Sequence, residues 1–283
     1  MLDAKLIRSD PDGVRTALER RGGDAAAGVD RFLELDGERR ELLQQVETAR
    51  AERNAAARAI AEAKGRGEDA AAEIARQSEL KRSQSEGEEA LARIEAAISD
   101  VMAALPNPPH PSAPVGDSED DAEVVRVHQF DKLELFSYCH PDRSWDEQES
   151  LLVIEEEIAQ ELGFHYRVVN VAAGDLGASA ARKFDIEVWL PGQERYRELT
   201  SCSNTTDFQA RRLDVRYRPE PSARPVHVAT LNGTAAAVGR TIIALLENGQ
   251  QDDGSVRMPA ALVAHGAPEV LAPAPGRVAS KMR

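Results

Sequence analysis

Phe32-Leu-Glu-Leu-Asp-Gly-Glu-Arg-Arg-Glu-Leu-Leu-Gln-Gln-Val46-Glu-Thr-Ala-Arg-Ala-Glu-Arg-Asn-Ala-Ala56-Ala-Arg-Ala-Ile60-Ala-Glu-Ala63 decides the architecture of the first hundred residues. Stepping by alternating threes and fours from Phe32 gives Leu35, Arg39, Leu42, Val46, Ala49, Arg53, Ala56, Ile60 and Ala63. Only Arg39 and Arg53 interrupt that apolar stripe, and its period is that of a coiled-coil seam. Lys64-Gly-Arg-Gly-Glu-Asp69 then breaks the pattern with its glycines, and a second polar helix resumes through Ile74, Leu80, Leu91, Ile94, Ile98 and Val101. Two heptad helices joined by so short a turn must pair antiparallel, a hairpin roughly 50 Å long for about 35 residues at 1.5 Å each. The alanines of the seam allow close approach but bury little area, which predicts a marginally stable outer half.

On the N-terminal side of the hairpin, residues 1 to 26 read as a small capping unit. Ser9-Asp-Pro-Asp12 offers helix-start residues ahead of Val14, Ala17 and Leu18, and Gly22-Gly23 ends that helix. On the other side, Leu105-Pro-Asn-Pro-Pro-His-Pro-Ser-Ala-Pro114 carries five prolines in ten residues, which forbids helix and favours extended geometry. Gly116-Asp-Ser-Glu-Asp-Asp-Ala-Glu123 continues it as an acidic stretch. The sequence therefore divides into an arm over 1–104, a linker over 105–123 and a second domain over 124–283. In that domain strand-like runs at Val124–Phe136, Tyr166–Val171, Phe184–Leu190 and Tyr196–Ser201 alternate with helices around Asp146–Leu162 and after Gly233. The order predicts an α+β fold with an antiparallel sheet.

Composition narrows the function classes. A formal charge of −14 argues against a general, charge-driven grip on nucleic acid, so any RNA contact has to be local. Two cysteines, Cys139 and Cys202, cannot build a metal framework or a disulfide scaffold, and a reducing cytoplasm fits them best. The six histidines are scattered without ligand spacing, which argues against zinc. Met1-Leu-Asp-Ala-Lys-Leu-Ile-Arg8 lacks the apolar core of a signal peptide, and no stretch approaches the roughly 20 apolar residues of a membrane span. The expectation is a soluble, cytoplasmic protein.

Three segments can carry chemistry. Val124-Val-Arg-Val-His-Gln-Phe-Asp-Lys-Leu-Glu-Leu-Phe136 alternates, and period two puts Arg126, His128, Phe130, Lys132 and Glu134 on one strand face. Guanidinium for phosphate, a ring for base stacking and an acid for an ammonium group suit a nucleotide with an amino substrate. A solvated face with cross-strand ion pairs fits the pattern as well. Glu194-Arg-Tyr-Arg-Glu-Leu-Thr-Ser-Cys-Ser-Asn-Thr-Thr206 sets Glu198 on a strand ahead of hydroxyl and amide groups. A carboxylate with a hydroxyl suits a hard cation such as Mg²⁺; a polar turn after an edge strand is the plainer reading. Thr230-Leu-Asn-Gly-Thr234, feeding Val238-Gly-Arg-Thr-Ile-Ile-Ala-Leu-Leu-Glu-Asn248, reads as a turn of small residues before an apolar helix that carries Arg240 in its first turns. Such a helix start favours an anion, although a simple turn with a surface arginine accounts for it too.

Taken together, the three segments resemble the active site of seryl-tRNA synthetase, a class II aminoacyl-tRNA synthetase family. Arg126-Val-His-Gln-Phe-Asp-Lys-Leu-Glu134 is similar to the second half of the family's motif 2, Glu198-Leu-Thr-Ser201 to its Glu-Leu-Thr-Ser signature, and Thr230–Arg240 to motif 3. The resemblance implies a coiled-coil arm that binds tRNA, followed by an incomplete class II antiparallel sheet with flanking helices. It implies serine–tRNA ligase chemistry, the ATP-dependent activation of serine and its transfer to tRNA(Ser). By that match Arg126, His128, Phe130, Glu198, Ser201 and Arg240 would bind ATP, with Arg126, Glu198 and Arg240 catalytic. Glu134, Asn232 and Thr234 would bind serine, and Glu198 and Ser201 would hold Mg²⁺.

Candidate phosphate contacts on the arm are Arg50, Arg53, Arg58, Lys64, Arg66, Lys81 and Arg82, interleaved with acids as on any solvated coiled coil. One departure is large. Between Glu123 and Val124 the family carries well over a hundred residues, which hold motif 1 at its homodimer interface, a serine-specifying loop and the first half of motif 2. Their loss strips charge stabilisation from the α-phosphate and implies low or absent activity. A non-catalytic RNA-binding protein or a vestigial synthetase paralogue is the alternative.

Overall fold

The computed structural model describes residues 1–22, 24–66, 69–114 and 129–273. They form two compact units. One is Leu2–Glu19 with Gly23–Pro106; the other gathers Met1, Arg20–Gly22 and the chain from Asn107 onward.

The first unit is helical: α1 (Ala4–Ser9), α2 (Pro11–Glu19), α3 (Ala27–Arg66) and α4 (Ala71–Ala104). Asp3 starts α1 by accepting the Lys5 N–H at 2.8 Å, and the Asp10 carboxylate does the same for Gly13 in α2 at 3.0 Å. All ten stripe positions from Phe32 to Ala63 are buried or half-buried in α3, while most of their neighbours are exposed. The two long helices run antiparallel, with Arg39 near Glu95, Val46 against Gly87 and Glu52 near Arg76. Two expectations need correction. The glycine-rich stretch does not end α3 at once, since the helix continues through Gly65 to Arg66. Ile74 is 43% exposed, because the inward phase of α4 passes through Glu73, Gln77, Leu80 and Gln84, one residue and about 100° away.

The start of α3 is pinned by charge. The Asp36 carboxylate is buried and takes a two-pronged contact from Arg8 of α1 at 2.7 and 2.8 Å, with Arg40 at 2.5 Å and Arg39 at 3.6 Å. These guanidinium bonds, Arg8 first, outweigh the cost of burial and hold its pKa down to about 2.

The second unit is built on a five-stranded antiparallel sheet. Its strands are β1 (Lys132–Cys139), β2 (Tyr166–Asn170), β3 (Arg182–Leu190), β4 (Arg195–Asn204) and, after short strands β5 (Arg216–Tyr217) and β6 (Val226–His227), β7 (Ala229–Ala237). Spatial order is β1-β7-β4-β3-β2. Helix α5 (Ser144–Glu161) covers one face, packing Leu151 on Cys202 and Leu231, and Leu152 and Ala159 on Ile186. Its buried Gln148 donates to the Arg182 and Cys202 carbonyls and accepts from Arg182 Nε at 2.7 Å, so the amide of this buried side chain is matched on both its oxygen and its nitrogen. The unit is completed by α6 (Phe208–Leu213), α7 (Val238–Gly249), α8 (Ala260–Ala264) and the pair β8 (Val256–Arg257) and β9 (Val270–Leu271). Ala244 and Leu245 of α7 close a second core with Phe164, Val188, Leu190 and Leu199.

Part of the proline-rich segment is tied to this unit. Asn107 N–H donates to Ala178 O at 2.8 Å and His110 N–H to Ala181 O at 2.6 Å. The Asn107 amide reaches Ser179 O, Thr205 O and Thr206 Oγ1. Arg21 spreads its guanidinium over the carbonyls of Asn107, Leu176 and Ala180, and Arg20 does the same over His110, Pro111 and Ala113. Prolines cannot donate, so these arginines supply the hydrogen bonds that the segment's carbonyls need.

Candidate active site

Sheet register assembles the site. Cross-strand partners share a face, and so do residues two apart. Glu134 lies opposite Thr234, Phe136 opposite Asn232, Asn232 opposite Ser203, Lys183 opposite Ser203, and Asp185 opposite Ser201. Glu187 lies opposite Glu198, and between that pair and Ile186–Thr200 the strand β4 carries one extra residue, Leu199. This bulge matters, because residues three apart on a regular strand face opposite ways, whereas here Glu198 and Ser201 come to the same side. The face turned away from α5 thus carries Glu134, Asn232, Thr234, Ser203, Ser201, Glu198, Lys183 and Asp185 in one polar field.

Two groups of contacts occupy that field. Asn232 Nδ2 donates to Glu134 Oε1 at 3.0 Å, and Lys132 Nζ sits 2.6 Å from Glu134 Oε2. Arg240 of α7 donates to the Glu198 carbonyl at 2.9 Å and lies 3.3 Å from its carboxylate. Lys183 links the groups: its ammonium is 2.9 Å from Asp185 and 3.6 Å from Glu198, and it lines a cavity of about 490 Å³ with Glu134, Asn232, Ser203, Thr205, Gln209 and Thr230. Burial pushes the Asp185 carboxyl up to about 7, with Lys183 opposing and Glu198 adding to the shift. Burial opposes the Lys183 charge as well, yet Asp185 and Glu198 outweigh it and hold that pKa above its ordinary value.

Several site residues sit differently from the sequence reading. Arg126 and His128 lie outside the described residues. Phe130 precedes β1 and is 54% exposed, beyond the cavity lining. Thr230–Thr234 is no turn but the middle of β7, a strand flanked on both sides, and the helix begins four residues later at Val238. The backbone N–H groups of that stretch therefore lie within a strand rather than at a helix start, and only Arg240 belongs to the helix start. Likewise β4 is an interior strand, not an edge before a turn. The glycine in Asn232-Gly-Thr234 is required by space, since a Cβ there would stand 2.7 Å from Glu155 Oε1. Cys202 is fully buried, and burial raises its thiol pKa, so it has no nucleophilic character.

Lys183, Asp185 and Glu155 escaped the sequence reading. The first two alternate in Lys183-Phe-Asp-Ile-Glu187, a period-two signal open to view; Glu155 sits inside Glu155-Glu-Glu157 with nothing to set it apart. Among the described residues no three His, Cys, Asp or Glu side chains gather as a metal cage, so Glu198 and Ser201 offer one carboxylate and one hydroxyl. That donor set fits Mg²⁺ only as a partner to phosphate oxygens and water. On the arm, Arg50 pairs with Glu88 at 3.3 Å and Arg82 with Glu79 at 2.5 Å; Arg53 is half-buried at its stripe position, and Arg58, Lys64, Arg66 and Lys81 are exposed.

Comparison with known proteins agrees with this layout. Residues 1–109 match the seryl-tRNA synthetase N-terminal domain, and residues 117–249 match the tRNA synthetase class II core domain (G, H, P, S and T). The serine–tRNA ligase of Rubrobacter xylanophilus is 57% identical over 151 residues, 53% of this chain and 35% of that protein; the one from Nocardia farcinica is 56% identical over 155 residues, 55% and 36%. The matched stretch thus spans about a third of the length of these curated relatives. Among solved structures, seryl-tRNA synthetase from Pyrococcus horikoshii complexed with ATP superposes with a TM-score of 0.91 at 26% identity, covering 97% of this chain and 100% of that one. The cytoplasmic serine–tRNA ligase from Naegleria fowleri in complex with AMP shares the fold, with a TM-score of 0.82 at 21% identity over 96% and 99%. No helix among the described residues is long and apolar enough to cross a membrane. With an N-terminal arm and a class II core that together match most of its length, the chain belongs to the seryl-tRNA synthetase family of class II aminoacyl-tRNA synthetases.

Proposed function

We propose that the polar face of the sheet binds ATP and serine and supports, at a low rate, attack of the serine carboxylate on the α-phosphorus with loss of pyrophosphate. The observation that carries this reading is the shared face of Glu134, Asn232, Ser201 and Glu198, with Arg240 3.3 Å from Glu198. Glu134 and Asn232 receive the serine ammonium, Thr234 lines the same pocket, and Arg240 and Lys183 meet the polyphosphate. Arg126, His128 and Phe130 join from the segment ahead of β1, the first two at phosphate and the ring on adenine. Glu198 and Ser201 would hold Mg²⁺ on phosphate oxygens, where it supplies charge neutralisation. In such a site rate comes from positioning and from neutralising charge rather than from a covalent step on the protein.

A serine-dependent ATP–pyrophosphate exchange assay tests the reading. Exchange above background that is lost in Arg240→Ala supports it. A folded chain that neither exchanges nor binds ATP ends it.

The arm is proposed to contact tRNA through Arg50, Arg53, Arg58, Lys64, Arg66, Lys81 and Arg82, in keeping with its match to the family's N-terminal domain. The ion pairs of Arg50 and Arg82 lower its net field, so binding has to be short-range and salt-sensitive. A gel shift of serine tRNA by the full chain that is abolished by moderate salt supports this, and a shift indifferent to Arg58→Glu and Lys81→Glu together refutes it.

A further inference from the structure

Strands β4 and β7 are paired only from Cys202–Gly233 to Asn204–Leu231. Beyond Gly233 they part, and β7 carries its extra residue, Ala235, between its pairings of Thr234 with Glu134 and Ala236 with Leu133. Where they part, α5 reaches in. Glu155, 2% exposed, accepts the Thr234 N–H on Oε1 at 2.9 Å, while its Oε2 has no hydrogen-bond partner among the described residues.

We propose that Glu155 is a positioning residue for the serine end of the site: by taking the Thr234 N–H where β7 leaves β4, it fixes the stretch Asn232–Thr234 in the orientation that meets the substrate.

The chemistry of the position argues for such a role. The charged groups that act on it are Asp185 and Glu134, both carboxyls, so no cation offsets the burial of Glu155. Burial is accordingly the main cause that pushes its own carboxyl up to about 7. An apolar side chain would fill the same space at less cost, but it could accept neither the Thr234 N–H nor the approach of the Thr200 hydroxyl, and of the two only the Thr234 N–H belongs to β7. Strand and carboxyl are also fitted to one another, because only glycine at 233 leaves room for Oε1. Bulges next to sites serve to re-aim side chains, and here the residues on either side of Gly233 are Asn232, bonded to Glu134, and Thr234.

The proposal rests on the reading that this face binds serine. Its test compares the full-length wild type with Glu155→Leu, which keeps the volume and removes the acceptor, and Glu155→Gln, which keeps an acceptor oxygen. Serine and ATP are titrated separately in the exchange assay, and amide exchange at Thr234 is followed by NMR. Loss of one buried hydrogen bond predicts about a tenfold rise in KM for serine and a similar acceleration of Thr234 exchange in Glu155→Leu, with KM for ATP unchanged and Glu155→Gln close to wild type. Equal KM for serine in wild type and Glu155→Leu overturns the proposal, as does a loss that Glu155→Gln fails to restore. A wild type that takes ATP but no serine ends the functional reading and the proposal with it, an outcome distinct from equal serine binding by all three chains.

Discussion

At Gly233 a single hydrogen decides whether β7 can lie under α5. Adding a methyl group would set it 2.7 Å from Glu155 Oε1, which is itself buried and bonded to Thr234. The carboxyl would have to swing aside and give up the Thr234 N–H, so Gly233→Ala is expected to destabilise the chain by about 1–3 kcal/mol despite the better strand propensity of alanine. Urea denaturation measures it, and pairing the change with Glu155→Ala should recover part of the loss, because the clash disappears with the carboxyl. The titrating carboxyls make a second residue-level claim. Glu155 and Asp185 bind protons more tightly folded than unfolded, since burial raises both to about 7. Unfolding therefore releases protons between about pH 4.5 and 7, and stability falls as pH rises across that window by up to about 1.4 kcal/mol per unit for each group. Asp36 works in the opposite sense. Its folded pKa of about 2 lies below its unfolded one, so its contribution is present above pH 4 and is lost as pH falls toward 2. Urea midpoints followed by a probe in each unit should move in opposite directions over these two ranges; midpoints that do not change with pH would refute both assignments.

Between helices, the stripe from Phe32 to Ala63 was legible because one period governed it throughout and the partner helix had only one way to meet it. The facing seam of α4 was not, because three of its first four inward positions are polar: Glu73, Gln77 and Gln84 carry no hydrophobic signal, and Ile74 invited the wrong phase. Gln84 shows the cost. It is buried, its Nε2 donates to Glu88 at 2.6 Å, and its Oε1 has no hydrogen-bond partner among the described residues. Replacing it with leucine removes that orphan and adds apolar area, so Gln84→Leu is expected to raise stability by about 1 kcal/mol, seen as slower amide exchange in the middle of α4. Unchanged or faster exchange would mean that the amide is better satisfied in solution than its contacts imply. For strands the limit was different. Thr230-Leu-Asn-Gly-Thr234 has the composition of a turn, and only a partner on each side, together with a carboxyl above the glycine, makes it an interior strand. The candidate residues Glu134, Glu198, Asn232 and Arg240 could be named from motifs, but their common face depends on a bulge at Leu199, and a bulge leaves no mark in a single sequence.

At the scale of the whole molecule, the second unit leaves more apolar surface in solvent than its sheet can shelter. Leu133, Phe136 and Tyr138 on β1 are 62%, 68% and 66% exposed, and β1 has one strand neighbour among the described residues, β7. Phe136 and Tyr138 line the cavity beside Glu134 and Asn232, joined there by Leu213 and Val215. A long edge strand with aromatic side chains and charge only near its first residues is open to pairing with other chains. The net charge of −14 works against such association by mutual repulsion, more strongly at low salt. Which effect prevails follows from range: repulsion is screened beyond about 8 Å at physiological ionic strength, whereas strand pairing and apolar contact act at touching distance. The chain is therefore expected to stay monomeric at low salt and to associate as salt and concentration rise. Light scattering from micromolar to hundred-micromolar protein would follow this, and Phe136→Lys with Tyr138→Lys should abolish it. Association that strengthens as salt is removed, or that ignores the two substitutions, would place the contact on a charged surface elsewhere and leave the β1 edge without a role in it.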